Sequence, residues 1–480
     1  MLANLEPEKV FYYFEEISKI PHGSGNVEKI SDYLADFAKE RNLWYTQDQL
    51  KNVIIIKDAT AGYEEEPAVI LQGHMDMVAV KDDSCTLDME KDSLELGVEG
   101  DYLFAKGTTL GGDDGIAVAY ALAILDSDNI AHPRLEVIFT VDEETGMEGA
   151  TGIDLGMLTG NRMINLDSEE EGCFLVSCAG GVRQTVSLPF VRNARKGRFY
   201  RIAVNGLLGG HSGEEIDKER ANANCLVGRI LWNLTRQLSV RLVNANGGVA
   251  DNAIAASAQC VVNIDNDDED MFLSIIKKTE NEIKKEYETK DPGIAVFVEE
   301  VEERTADVVN YEDTKKVAGL LVGLPNGVQA MSHDVPGLVE TSLNMGVMKT
   351  ERDRFSVTMC VRSSIDSAKE ALISKIEAIA MLSGGESALN GNYPGWQYRV
   401  DSPLRDKMIR VYERRYGKKP TVMAIHAGLE CGILASKIKD LDCVSIGPDM
   451  KDIHTPKERL SISSTKRVWE FLLEILSEKN

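Results

Sequence analysis

The groups best suited to chemistry in this chain sit in five short segments, each placed where an apolar run gives way to a turn. Gln72-Gly73-His74-Met75-Asp76 follows PAVIL, and Val141-Asp142-Glu143-Glu144-Thr145-Gly146 follows LEVIFT. Ile164-Asn165-Leu166-Asp167 and Ile453-His454-Thr455-Pro456 repeat the pattern, and a glycine-rich stretch ends in Asp113-Asp114-Gly115 ahead of the apolar run GIAVAYALAIL. Imidazoles and carboxylates are the ligands of zinc and manganese. Two histidines and three carboxylates make two three-ligand sites that share one bridging carboxylate. In such a pair the cations stand about 3.5–4 Å apart and activate a water between them.

Each segment also has a plain structural reading. In an extended backbone residues i and i+2 share a face, so His74 and Asp76 can meet, with Asp76 accepting the second ring N–H of a metal-bound imidazole. Without a metal, the same HxD is a polar turn. An Asp at a helix start caps it; that accounts for one of Asp113 and Asp114 but hardly for both, and either can bridge. Neighbouring residues at a strand end point apart, so one of Glu143 and Glu144 can bind metal while the other moves protons. The run Glu169–Glu171 reads as solvated surface. Among the other histidines, His22 and His132 flank prolines and read as structural, His333 and His426 sit in loops with no assigned part, and His211 in GGHSG can be presented to a cleft.

These segments need strand termini to hold them. Apolar runs at 52–57, 67–72, 135–141 and 163–166 alternate with helical periodicity at 7–20, 26–41 and 115–126. That pattern predicts an α/β fold: a mixed, mostly parallel sheet with helices on both faces. From about 199 the texture changes to strands and helices of α+β type, with a helix over 217–235, paired strands around 249–264 and 337–362, and a Gly/Pro/Asn-rich boundary loop at 383–396. The tail returns to the first pattern. The expected organisation is a discontinuous domain, 1–185 with 395–480, and an inserted lid domain over 186–394.

Lys plus Arg number 53 against 78 Asp plus Glu, a net charge of −25. Nucleic acids and anionic membranes need a basic footprint, so neither is expected as a partner. No apolar run reaches the roughly 20 residues that cross a bilayer, and no secretory signal opens the chain. The scattered cysteines without a CxxC pair suit free thiols in a cytoplasm.

Taken together, LQGHMDMV, KGTTLGGDDGIAVA, DEETGMEGA, INLDSEEEG, LLGGHSGEEI, YPGW, IHAGLECG and SIGPDMKDIHTP resemble the zinc-dependent family that includes dipeptidases, tripeptidases, aminoacylases and glutamate-type carboxypeptidases. The likeness runs almost end to end and is strongest to its dipeptidases. It implies a di-zinc exopeptidase fold and two Zn2+ per chain, with Mn2+ or Co2+ as alternatives. His74 and Asp167 would bind one cation, Glu144 and His454 the other, and Asp113 both. Asp76 would orient His74, Glu143 would be general base toward a metal-bridging water, and His211 would stabilise the tetrahedral intermediate. Arg362 and Asn252 would contact the terminal carboxylate and backbone of a short peptide, and a homodimer through the lid is compatible with the family. The chain departs from the pattern at Asp114, where relatives often carry Asn. The approach Lys451-Asp452-Ile453 to the last histidine has no reading. Hydrolysis of dipeptides, Xaa-His among them, is the expected activity. A tripeptidase, aminoacylase or carboxypeptidase on the same centre is the nearest alternative, and a metal- or peptide-binding protein without turnover the alternative of another class.

Overall fold

The computed structural model describes residues 2–302 and 305–479. They form two compact units: one of 1–177, 398–424 and 429–480, the other of 178–397 and 425–428.

The first unit is built on an eight-stranded mixed sheet. At its centre Val69–His74 pairs in parallel with Leu135–Thr140 on one side and Arg162–Asn165 on the other. Asp442–Ser445 adds a further parallel strand beside Arg162–Asn165. Val53–Lys57, Trp44–Gln47 and Cys173–Cys178 join antiparallel, and Thr421–Ile425 lies beside Cys173–Cys178 at the edge, so the sheet is mixed, as expected, with its parallel strands in the middle. The reason is burial. Val69–His74 and Leu135–Thr140 are buried at every position, as strands covered on both faces must be.

Helix Gly112–Leu125 is buried along its whole length, which the apolar run that follows Asp113 and Asp114 requires. Each large side chain buried this way contributes about 1.5–3 kcal/mol. The close fit depends on Gly73, where a Cβ would stand 2.4 Å from Ala117 Cβ and 2.5 Å from Asp114 Oδ2. Any larger residue there would push the helix start away from the strand end.

In the second unit Ala295–Val301, Arg198–Asn205, Ala258–Ile264, Arg241–Gly247, Val339–Thr350, Arg354–Ser363, Gly180–Pro189 and Glu386–Tyr393 lie side by side in that order, with Gly327–Met331 paired to Val339–Thr350. Helices Ala223–Thr235, Glu269–Glu286, Tyr311–Gly323 and Asp366–Leu382 share its hydrophobic core.

Two local expectations fail here. The helix foreseen over 217–235 begins only at Ala223, because Asn222 caps it by accepting from the amides of Asn224 and Cys225, 3.0 and 3.4 Å away. The boundary loop foreseen at 383–396 contains the edge strand Glu386–Tyr393. An edge strand needs partners on one side only and tolerates exposed polar residues, so its composition reads as a turn.

Candidate metal centre

At the carboxyl ends of the central strands, the first unit brings His74, Asp113, Glu144, Asp167 and His454 together. His74 Nε2 lies 3.1 Å from Asp113 Oδ1 and 3.6 Å from Asp167 Oδ1. His454 Nε2 lies 3.1 Å from the other Asp113 oxygen, Oδ2, and 2.9 Å from Glu144 Oε1. Asp113 therefore presents one oxygen to each imidazole. Among the described residues Glu144 Oε1 is buried without a hydrogen-bond partner despite that 2.9 Å approach. Two atoms so close without bonding geometry are converging on a third point, as metal ligands do.

Asp114 takes a different position. Its Oδ2 accepts the backbone amide of His74 at 3.2 Å, and its Oδ1 is buried with no partner. His74, Asp114 and Asp167 still offer ligand atoms close enough to share an ion.

The two ends of Asp76 act separately. His74 Nδ1 is nearer the Asp76 carbonyl oxygen, at 2.9 Å, than its carboxylate, at 3.5 Å. The carboxylate instead accepts from Ser24 Oγ at 2.8 Å, the Glu143 amide at 3.1 Å and the Glu144 amide at 3.5 Å. Those two glutamates do not extend a strand, as expected above. They open the one-turn helix Glu143–Gly146 after Asp142, which sits at φ +54°. Successive side chains of a helix point about 100° apart, which also separates Glu143 from Glu144. His454 likewise adopts a left-handed φ of +59°, a conformation that costs energy in a non-glycine residue and clusters at functional sites.

Charge in the centre is badly balanced. Burial, then the neighbouring Asp167, holds the Asp114 carboxyl far above its usual range. Burial also raises Glu143, and Asp167 and Glu430 add to it against the opposing pull of His74. Burial lifts Asp167 to about 7. Burial works against a charge on His74, yet Asp167 and bonds to Asp113 hold its pKa up. The hydrogen bond to Asp113 and the adjacent Glu144 carboxylate lift His454 to about 10. Asp113 is pulled down by both imidazoles in spite of burial. Bound cations would relieve this excess of negative charge.

Sequence reasoning missed two carboxylates. Glu458 is buried and accepts from the amides of Leu110, Gly111, Gly112 and Asp113 at 2.7, 3.1, 2.7 and 3.4 Å. It thereby ties the loop carrying Asp113 to the segment carrying His454. Its spacing of four from His454 was the only signal available. Glu430, the first residue of helix Glu430–Lys437, accepts from Gln72 Nε2 and Thr140 Oγ1, both at 2.6 Å. Gln72 Oε1 in turn accepts from Asn165 Nδ2 at 2.6 Å. This polar layer joins three strands just behind His74, Glu143 and Asp167.

His211, Asn252 and Arg362 belong to the second unit. The carbonyl of Asn252 accepts the amide of Ser212, the neighbour of His211, at 2.8 Å. Burial and the charge of Arg362 lower the pKa of His211. The ring hydrogen bonds of His22 and His132 among the described residues are local, to the carbonyls of Ile20 and Pro133.

Known proteins match this chain over its whole length. It is 37% identical over 480 residues to the cytosol non-specific dipeptidase of Escherichia coli K12, covering 99% of both chains. The crystal structure of aminoacylhistidine dipeptidase from Vibrio alginolyticus superposes with a TM-score of 0.96 at 36% identity, covering 100% of this chain and 98% of that one. The aminopeptidase PepT from Bacillus cereus shares the fold, with a TM-score of 0.57 at 15% identity over 98% of each chain. The family model for peptidase family M20/M25/M40 matches residues 70–478. With its ligand-competent side chains gathered at the ends of the matched strands, the chain belongs to peptidase family M20/M25/M40 and is a metallopeptidase.

Proposed function

We propose that the chain is a two-metal dipeptidase of the cytoplasm, hydrolysing the peptide bond of dipeptides, Xaa-His types included. The observation that carries this reading is Asp113, with one oxygen toward His74 and the other toward His454. The names carried by the Escherichia coli and Vibrio alginolyticus proteins support the substrate class. In this reading His74 and Asp167 would hold one zinc, Glu144 and His454 the other, and Asp113 would serve both; manganese or cobalt would suit the same donors. Cations held there would supply Lewis-acid polarisation of the scissile carbonyl and would lower the pKa of a bound water toward neutrality.

Glu143 is the proton carrier. Its carboxyl, held above the usual range chiefly by burial, is a stronger base than an exposed glutamate, as a proton carrier requires. It takes a proton from the attacking water and delivers it to the departing nitrogen. Asp76 fixes Glu143 through its backbone amide and His74 through Nδ1. His211 stabilises the developing oxyanion, Arg362 holds the far carboxylate as a two-pronged donor, and Asn252 contacts the substrate backbone.

The test is activity after chelation and after separate return of zinc, manganese and cobalt, against dipeptides with and without a terminal His, tripeptides and N-acyl amino acids. Metal-dependent cleavage with dipeptides preferred is expected. Preference for tripeptides or acyl amino acids would move the chain to a sister activity. Metal uptake without any cleavage would make it a binding protein.

A further inference from the structure

Within the second unit a row of residues crosses four strands. Ser342 stands opposite Arg362, Arg362 opposite Gly181, and Gly181 opposite Tyr393. Directly opposed residues share a sheet face. Gly181 leaves the space that Tyr393 fills: a Cβ there would lie 2.5 Å from the tyrosine hydroxyl, to which Arg362 Nη1 donates at 3.3 Å. The tetrapeptide Ile425–Gly428 covers this row. A Cβ on Gly428 would stand 2.8 Å from the Tyr393 ring, and His426 Nε2 is 2.7 Å from Ser342 Oγ. Gly213, beside His211, approaches the His426 carbonyl so closely that a Cβ would be 2.7 Å away.

The groups gathered here are buried donors with few acceptors beside them. Arg362 is only 7% exposed, its one side-chain hydrogen bond among the described residues goes to Tyr393, and its Nε has no partner. His426 Nδ1 and Ser212 Oγ are likewise buried without a well-formed hydrogen bond among the described residues, with the Val339 backbone near the imidazole and Cys360 near Ser212. A desolvated guanidinium with free donors is costly unless an anion completes it. Burial, then the charge of Arg362, pushes the pKa of His426 down to about 3, so the ring is neutral. If its Nε2 accepts the Ser342 hydroxyl, the ring proton resides on Nδ1.

We propose that His426 and Tyr393 complete a carboxylate pocket around Arg362, with the Nδ1–H of His426 and the Tyr393 hydroxyl as uncharged donors beside the guanidinium. The inference rests on the dipeptidase reading, in which Arg362 holds the far carboxylate. It adds two residues that decide whether a free carboxylate is required. A neutral donor keeps the pocket at one positive charge, matched to one carboxylate.

The test compares binding of Ala-Ala and its C-terminal amide by calorimetry on the metal-loaded Glu143→Ala chain, alone and combined with His426→Phe, His426→Asn or Tyr393→Phe. The parent should prefer the acid by more than about tenfold, the size of a lost charge-assisted hydrogen bond. His426→Phe and Tyr393→Phe should each erase most of that preference and leave amide affinity unchanged. His426→Asn, whose amide nitrogen replaces Nδ1, should restore it. Equal weakening of acid and amide would reduce both residues to a structural part, and an intact preference would remove them from the pocket; either outcome overturns the inference while the dipeptidase reading stands. A parent that binds acid and amide alike would overturn the Arg362 clamp and this pocket together, and a parent that binds neither would reject the dipeptide reading itself.

Discussion

The backbone amide of Glu143 donates to Oδ1 of Asp76 across 3.1 Å, so the end of one strand sets the position of a helical turn that follows another. Asp76 thereby serves the proposed base and the proposed ligand Glu144 together. Asp76→Asn puts an NH2 group among three donors, two backbone amides and Ser24 Oγ. Turnover should fall about 10–100-fold, in the range for groups that orient metal ligands. Steady-state kinetics with parallel metal analysis reads this, and unchanged kcat would detach Asp76 from the site.

Glu143→Gln should lower kcat by about 10²–10⁴-fold, the range of general acid–base catalysis. Metal content should persist, because Glu144 faces His454 independently. Loss of metal in this variant would show Glu143 to be a ligand.

Glu458 serves four amides of the loop leading into Asp113. Glu458→Ala leaves them buried and unsatisfied, at a cost of about 3 kcal/mol or more, and should weaken metal binding about 10–100-fold. Denaturation of the metal-free chain and a metal titration measure the two effects separately. Glu458→Gln, which keeps one acceptor oxygen, should fall between.

Metal uptake should release protons. Without metal, the bond to Asp113 and the nearby Glu144 carboxylate lift the pKa of His454 to about 10, and Asp167 with Asp113 holds His74 up against burial. Cations bind the deprotonated rings, so affinity should rise with pH through the neutral range, by up to about tenfold per unit for each proton displaced. Calorimetry in two buffers of different ionisation enthalpy counts the protons, and pH-independent binding without release would contradict it.

Stability should depend on Asp126 in acid. Burial opposes its charge, but bonds from Lys9 and Arg41 pull its pKa down from 3.8 to about 2. A depressed carboxylate stabilises the fold above its unfolded value and loses that contribution as pH falls through the native value. Asp126→Asn should cost about 1 kcal/mol at pH 7, and its difference from the unaltered chain should vanish between about pH 4 and pH 2.

Much of the architecture was legible because burial leaves a direct mark on sequence. VILQGH and LEVIFT could be placed inside a sheet, and GIAVAYALAIL inside a core, since nothing but full burial suits them. The second unit was less clear. An exposed edge strand such as Glu386–Tyr393 carries no apolar signature, and a side-chain cap such as Asn222 can move a helix start by several residues.

The sequence alone picked out the short segments that carry the ligand-competent side chains, because periodicity and turn residues are local properties. Only tertiary structure could decide that Asp113 turns its two oxygens to imidazoles 39 and 341 positions away. Likewise only folding could assign Glu458 to four distant amides, Glu430 to Gln72 and Thr140, and His426 to Ser342. Those pairings join residues far apart in the chain, and a buried polar group takes whichever partner the packed backbone brings within reach.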